Sequence, residues 1–144
     1  MFARIGRQRG KWVVGAASLV IVASAVFAPL AFARITFNTV DEVATVSRNG
    51  RHLIVTGPLS TDQTQPVELR VTVTQRSTGA VAEGYTRFTG TTAEQQWHVR
   101  AATLGFRGFE PGPAVVVALA RSYGAPGRPD DAQQWLVEVT LVEE

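Results

Sequence analysis

Two histidines, four serines and three adjacent acid pairs are the residues past position 33 whose types could do chemistry. His52 and His98 fall in alternating apolar segments. If Leu53 and Val55 face a core, His52 points outward, and Trp97 and Val99 put His98 outward in the same way. On neighbouring strands the pair could meet and bind a metal with a nearby carboxylate, but a zinc centre takes three or four ligands and no close ligand spacing is present. The expectation is two solvated histidines, with metal: none. A nucleophilic triad would need Ser47, Ser60, Ser77 or Ser122 beside a histidine and an acid, and none of them sits in a Gly-x-Ser-x-Gly elbow. Asp41-Glu42, Asp130-Asp131 and Glu143-Glu144 are adjacent, so on a strand each pair splits between opposite faces and cannot flank one bond as glycosidase carboxylates do. Residues 105–112 follow neither the phosphate-loop nor the dinucleotide pattern. The reading is catalytic: none and cofactors: none.

The elements that hold these residues read as strands. Val67, Leu69, Val71 and Val73 alternate with Glu68, Arg70, Thr72 and Thr74, the pattern of one buried and one wet face. Residues 40–47 and 51–56 flank Asn49-Gly50, a strong hairpin signal because both residues tolerate positive φ. Gly57-Pro58 reads as the end of the second strand and residues 60–66 as a polar loop. Residues 81–88 form the hairpin partner of 67–76, with Gly84 as a candidate bulge. Residues 94–101 bury Trp97, Val99 and Ala101. A Pro-Gly corner follows at 106–113 with Phe106 and Phe109 as packed anchors. Residues 114–123 are apolar on both faces, as a central strand is. Residues 122–132 form a long Gly/Pro loop, and 133–142 close the chain with Trp135, Val137, Val139 and Leu141 on one face.

Seven strands in about 100 residues predict an all-β, antiparallel, immunoglobulin-like β-sandwich. In a sandwich, partners meet loops at one end. The candidate partner-binding residues are therefore Asp62, Gln63, Tyr123, Arg128, Asp130 and Asp131. Arg70, Arg76, Arg87, Arg100 and Arg121 are expected to pair across strands with Glu68, Glu83 and Glu138, with an anionic-polymer patch as the alternative. Gln95-Gln96-Trp97 recurs as Gln133-Gln134-Trp135, which reads as two strands that begin wet and then bury a tryptophan.

Two resemblances bear on these segments. Trp97-x-Val99, Phe109-x-Pro111-Gly112 and the following Val-rich strand resemble the fibronectin type III corner, except that Ala114 and Val115 stand where an aromatic is usual. Residues 51–76, Gln95-Gln96-Trp97 and residues 131–142 resemble small uncharacterised exported proteins of high-GC bacteria. That group often carries two cysteines aligning near Thr61 and Gly90. This chain has no cysteine, so the disulfide the resemblance implies is absent. The resemblance implies export and compactness, with no activity.

Residues 1–33 carry a different message. Arg4, Arg7, Arg9 and Lys11 precede a stretch, Trp12 to Ala33, with no charged residue. A basic head, an apolar run and the small-x-small site Ala31-Phe32-Ala33 form the layout of a signal peptide, with cleavage leaving Arg34 first. The apolar run is also long enough, at about 20 residues, to stay as a membrane anchor. In either case the positive-inside bias sends residues 34–144 across the membrane. That exported part holds ten arginines against twelve acids, near −2, which argues for no nucleic acid partner.

The domain expectation is therefore 1–33 as signal peptide or signal anchor and 34–144 as an exported β domain of the cell envelope. Residues 12–33 touch the membrane at least transiently. The functional expectation is a non-enzymatic module, structural or binding an unknown protein or cell-wall partner. The alternatives are a small-ligand carrier or inhibitor, or a metal-dependent protein using His52 and His98.

Overall fold

The computed structural model describes residues 34–124 and 129–144. The basic head, the apolar stretch, the Ala31-Phe32-Ala33 site and Arg128 lie outside them. Eight strands follow in chain order: β1 (Ile35–Asn38), β2 (Val43–Val46), β3 (His52–Thr61), β4 (Gln65–Gln75), β5 (Ala80–Gly90), β6 (Gln95–Thr103), β7 (Gly112–Ser122) and β8 (Asp131–Glu143). Among the described residues no helix is long and apolar enough to cross a membrane, and the expected membrane segment, residues 12–33, lies outside them.

The chain is all-β, but it is not an immunoglobulin-like sandwich. Pairing runs β2-β3-β6-β5-β4-β7-β8 and returns to β2, closing a seven-stranded barrel, while β1 lies against the far end of β3. Nor is the sheet wholly antiparallel: β2 runs parallel to β8, from Val43↔Thr140 to Val46↔Glu143. A sandwich keeps two sheets with free edges. Here β2 bridges β3 and β8, and β5 bridges β4 and β6, so what would be two sheets becomes one closed ladder.

Alternation decides what the barrel encloses. Val67, Leu69, Val71 and Val73 of β4 face inward, as do Val116, Ala118 and Ala120 of β7, Leu53, Val55 and Leu59 of β3, and Trp97, Val99 and Ala101 of β6. These side chains fill one core, as the interior of a small barrel requires. β7 sits between β4 and β8, the central place its two apolar faces predict.

The Asn49-Gly50 turn forms with Gly50 alone at positive φ, +70°, its N–H donating to Ser47 O, and Gly79 takes φ +71° between β4 and β5. Three local readings change. Gly57-Pro58 does not end a strand; β3 runs through it to Thr61, which leaves 62–64 as the whole loop. A β-carbon on Gly57 would collide with Thr39 O and lie 2.6 Å from the Trp97 ring, so glycine here is a demand of close packing. Gly84 makes no bulge, because the β4–β5 register is continuous through Val71↔Gly84. Instead β5 crosses hard against β6 there, with Val99 Cγ1 and Arg100 O where a β-carbon would go. At the corner, Phe109 is buried and donates its N–H to Gly50 O, whereas Phe106 is 97 % exposed and anchors nothing in this chain.

Thr61 and Gly90 face each other. A β-carbon built on Gly90 lies 2.7 and 2.9 Å from the two γ atoms of Thr61. That is close to the roughly 3 Å between a sulfur and its partner's β-carbon implied by a 2.05 Å S–S bond.

Two substitutions test this packing. Gly57→Ala should destabilise the barrel by about 1–3 kcal/mol through overpacking, while Gly105→Ala, with open space around it, should stay within about 0.5 kcal/mol of wild type; urea unfolding of both reads the difference. The double variant Thr61→Cys/Gly90→Cys should oxidise spontaneously and gain about 2–4 kcal/mol, the range for a cross-link closing a loop of this length. Failure to oxidise would show that the two positions are not apposed.

Candidate functional site

Two antiparallel joints of the barrel wall are short, β2–β3 at Thr45↔Ile54 and Val46↔Leu53 and the joint between β5 and β6. β5 pairs with β4 over its whole length, from Gln65↔Gly90 to Gln75↔Ala80, and β6 pairs with β3 from His52↔Ala102 to Leu59↔Gln95. Between β5 and β6, however, pairing is confined to Ala82↔Thr103 and Glu83↔Ala102. Beyond the tight crossing at Gly84 the two strands part. The gap is a groove of about 400 Å³ lined by Thr86, Arg87, Phe88 and Thr89 on one side and Gln95, Gln96, Trp97 and His98 on the other. That volume lies within the range of small-ligand pockets.

One wall of the groove is fastened from outside the barrel. Arg87 donates from Nε to Glu68 Oε1 at 2.8 Å and also from Nη2 to the same oxygen. Tyr85 donates its hydroxyl to Glu68 Oε1 at 3.3 Å, and Tyr123 donates to Glu68 Oε2 at 2.5 Å. The guanidinium also lies 5.8 Å from the centre of the Tyr85 ring, within cation–π range. These donors hold the Glu68 carboxyl below its ordinary 4.5, the Tyr123 bond first and Arg87 second. The same carboxylate raises the Tyr123 phenol above its ordinary 10.0. Register explains the grouping: Glu68 stands opposite Arg87 on β5 and Arg121 on β7, and Tyr123 follows two residues on.

Behind the groove the inner face changes character. Eight buried side-chain atoms have no protein partner among the described residues: Asn38 Nδ2 and Oδ1, Gln65 Nε2 and Oε1, Gln95 Oε1, Trp97 Nε1, Trp135 Nε1 and His52 Nδ1. Four of these six residues stand toward the end of the barrel that carries the 62–64 and 91–94 loops, while Trp135 lies at mid-wall, level with Ala118 and Val71. Asn38 and Gln95 flank the inward-facing Leu59 from β1 and β6. Trp97, 3 % exposed, packs over Gly57, and Gln65, also 3 % exposed, stands opposite Gly90. Trp135 stands opposite the buried Ala118. An unpaired buried amide or indole N–H costs about 1–3 kcal/mol.

The contrast within β4 is direct. Gln75, at its other end, is as buried as Gln65 but fully bonded: its amide donates to Glu110 O at 2.8 Å and Pro113 O at 3.3 Å, and its oxygen accepts from Glu110 N and Thr78 Oγ1. Gln75 fastens the corner at 110–113. Gln65 fastens nothing in the described chain.

The loop residues singled out from sequence are placed otherwise than expected. Asp62 accepts from Arg34 N at 2.8 Å, and Asp131 Oδ2 accepts from Ile35 N at 3.0 Å and from Gln133 Nε2 at 3.2 Å, so both acids hold β1 to the barrel. The Gln63 carbonyl accepts from Thr61 Oγ1, and Asp130 N donates to Ser122 O. Tyr123 alone reaches toward the groove, through Glu68. The two histidines do lie outward on neighbouring strands, but their ladder positions differ by four residues, about 13 Å. Among the described residues no group of three or more His, Cys, Asp and Glu could hold a metal ion.

The groove itself was missed, though one signal was present. Gln95 shares strand parity with Trp97, which marks it as inward-facing. What the pattern does not carry is where β5 leaves β6.

No family model matches the chain, and no curated protein matches it. Among solved structures it is similar to the Pseudomonas fluorescens alkylpurine DNA glycosylase AlkC bound to DNA containing an abasic site analog, at 19 % identity and a TM-score of 0.35. The likeness covers 76 % of this chain and 30 % of that one. At that level neither fold nor activity carries over.

The Glu68 cluster gives a pH signature. A carboxyl whose folded value is lowered contributes stability above its unfolded value and loses it as pH falls through the folded one. The contribution should therefore be complete well above pH 4.5 and be lost progressively below it, as pH falls through the lowered folded value. Tyr123→Phe removes the largest cause, so Glu68 should titrate closer to 4.5 in a carboxyl-carbon NMR titration. An unchanged Glu68 curve would show that Tyr123 does not fasten this wall.

Proposed function

We propose that this chain is an exported, non-enzymatic binding module of the cell envelope, and that the β5–β6 groove is where it meets its partner. The observation that carries the reading is the groove, a recess in the barrel wall where β5 and β6 part. Its lining combines aromatic surface (Phe88, Trp97) with neutral hydrogen-bonding groups (Thr86, Thr89, Gln95, Gln96) and one held cation, Arg87. Pockets of that mixture bind by shape, with a few placed polar groups fixing orientation.

The chemistry favours binding over catalysis. The ionisable groups lining the groove are Arg87, whose charge is engaged by Glu68, and His98, which is exposed. No described hydrogen bond links His98 to a serine or a carboxylate, as an activated nucleophile would require. Export rests on the basic head and apolar stretch of residues 1–33. Arg34 N lies 2.8 Å from Asp62 Oδ1, so a chain cleaved after Ala33 would set its new ammonium group against that carboxylate.

Two measurements check the reading. Intact mass of the protein from medium and from membranes should give a species starting at Arg34 or a full-length membrane species; protein confined to the cytosol would end the export reading. Solubilised envelope material added to isotope-labelled protein should shift the backbone amides of residues 86–89 and 95–98 first. Arg87→Ala should weaken that binding about three- to tenfold with only a small fall in the unfolding midpoint, since its exposed pair with Glu68 is worth about 0–1 kcal/mol. Shifts confined to other strands would sink the groove as the site.

A further inference from the structure

The end of the barrel opposite Arg34 carries an apolar tip that the fold holds outward. Leu104 and Phe106 are 61 % and 97 % exposed, two residues apart on the loop that leaves β6. The loop itself is braced at three points. Leu104 N donates to Val81 O at 2.9 Å, Arg51 Nη1 donates to Gly105 O at 3.0 Å, and Arg107 Nη1 donates to Thr78 O at 3.1 Å. Phe109, three residues past Phe106, turns inward and is buried. A fixed loop that keeps two large apolar side chains in water marks a surface for contact with something else.

The charges round this tip share one sign. Arg51 and Arg107 donate to carbonyl oxygens, which leaves their charge unneutralised, and exposed Arg76 precedes the turn to which Arg107 is tied. Among the described residues the ion pairs join Arg48 to Glu143 and Arg87 to Glu68, so none of these three arginines is in one. The acids of this end stand apart from the tip. Glu143 and Glu144 lie beside β2, two strands round the wall from β6, and Glu110 is beside Gln75 at the corner. Glu83 lies down the wall, opposite Ala102.

We propose that the 104–107 loop docks on an anionic lipid bilayer, Leu104 and Phe106 entering its interface while Arg51, Arg76 and Arg107 meet the lipid phosphates. Apolar insertion and attraction of basic side chains to an anionic leaflet reinforce each other. A bilayer yields around a projecting tip, where a protein would need a matching pocket. A second copy fits less well, because a twofold contact would set the same three arginines against themselves. The contact is distinct from that of residues 12–33. β3 runs from His52, next to Arg51, to Thr61, next to the Asp62 that accepts from Arg34 N. That strand separates tip from Arg34 by about 30 Å, so a domain held by residues 12–33 presents the tip to a facing bilayer.

The chain has no cysteine, so a single label reports a single place. Full-length Gly105→Cys, carrying a nitrobenzoxadiazole fluorophore, is reconstituted in phosphatidylcholine vesicles; Gly105 has open space around it. Protein-free vesicles with brominated acyl chains are then added as quencher. Half-quenching should need about tenfold less lipid when the added vesicles contain phosphatidylglycerol than when they are phosphatidylcholine alone, and high salt should remove that difference. Phe106→Ser and Leu104→Ser should each raise the lipid needed about tenfold, with the unfolding midpoint of Phe106→Ser unchanged because the ring is exposed. Arg51→Gln/Arg107→Gln should abolish the preference for phosphatidylglycerol. The same label on Gln63→Cys, at the other end, should stay unquenched. If a loop variant does not fold, the lipid-charge and salt dependence of the label at 105 still decides.

The proposal is overturned by a label at 105 that neither lipid quenches, by equal quenching from both, by quenching indifferent to the loop substitutions, or by equal quenching at 63. A label that responds to solubilised envelope protein and not to vesicles would make the tip a protein contact and overturn the lipid assignment. No groove residue takes part, so these outcomes leave that reading untouched.

Discussion

Closure is the constraint on which the rest of this molecule depends. Eight strands could bury their apolar faces as two stacked sheets, but two stacked sheets leave edges open to solvent and to other chains. The chain removes most of those edges with three short joints. One is the parallel pairing of β2 with β8 over four residue pairs. The others are the pairings of β5 with β6 and of β2 with β3, over two each. The long ladders, β4 with β5 and β7 with β8, supply most of the wall. The short joints decide that the wall is a tube, and the tube creates an inside with two unlike halves.

Those halves are fastened differently. At the end holding the 104–111 corner, Gln75 ties β4 to the Pro-Gly turn with its amide fully bonded, Phe109 fills the core, and His52 Nδ1 is the buried side-chain atom left without a partner among the described residues. At the other end Asp62 and Asp131 pin β1, and Glu68, bridged by Tyr123 and Arg87, braces the outside. The inside at that end keeps its amides and indole N–H groups unpaired.

Strand identity was legible from the residues because it is local. The alternation of Val67 to Thr74, the Asn49-Gly50 turn and the two-faced apolar run at 114–120 each report directly on face and position. Pairing was not legible, because the same alternation suits a sandwich sheet and a barrel wall alike. Nothing in Val43–Val46 announces a parallel partner almost a hundred residues away. Gly57-Pro58 misled for a related reason. The pair usually breaks a strand, yet here the missing β-carbon admits Thr39 O and the Trp97 ring, a need that arises only once distant segments are assembled. The loop acids Asp62 and Asp131 looked free because their partners, the N–H groups of Arg34 and Ile35, come from a strand too short to recognise by periodicity. The groove depends on where one strand leaves another, and residue types do not encode that point.

The short β5–β6 pairing has a mechanical consequence. A tube stitched evenly around its girth resists strain equally everywhere. One held along a single line by two residue pairs has a preferred place to give. Under thermal agitation this wall should gape there first, since the equally short β2–β3 ladder is backed by the bonds of Thr39 N to Pro58 O, Asp41 N to Thr56 O and Ser47 N to His52 O. The crossing at Gly84 would serve as the fulcrum, with the 91–94 loop tethering the far ends. The barrel would then open along its wall rather than at its mouth.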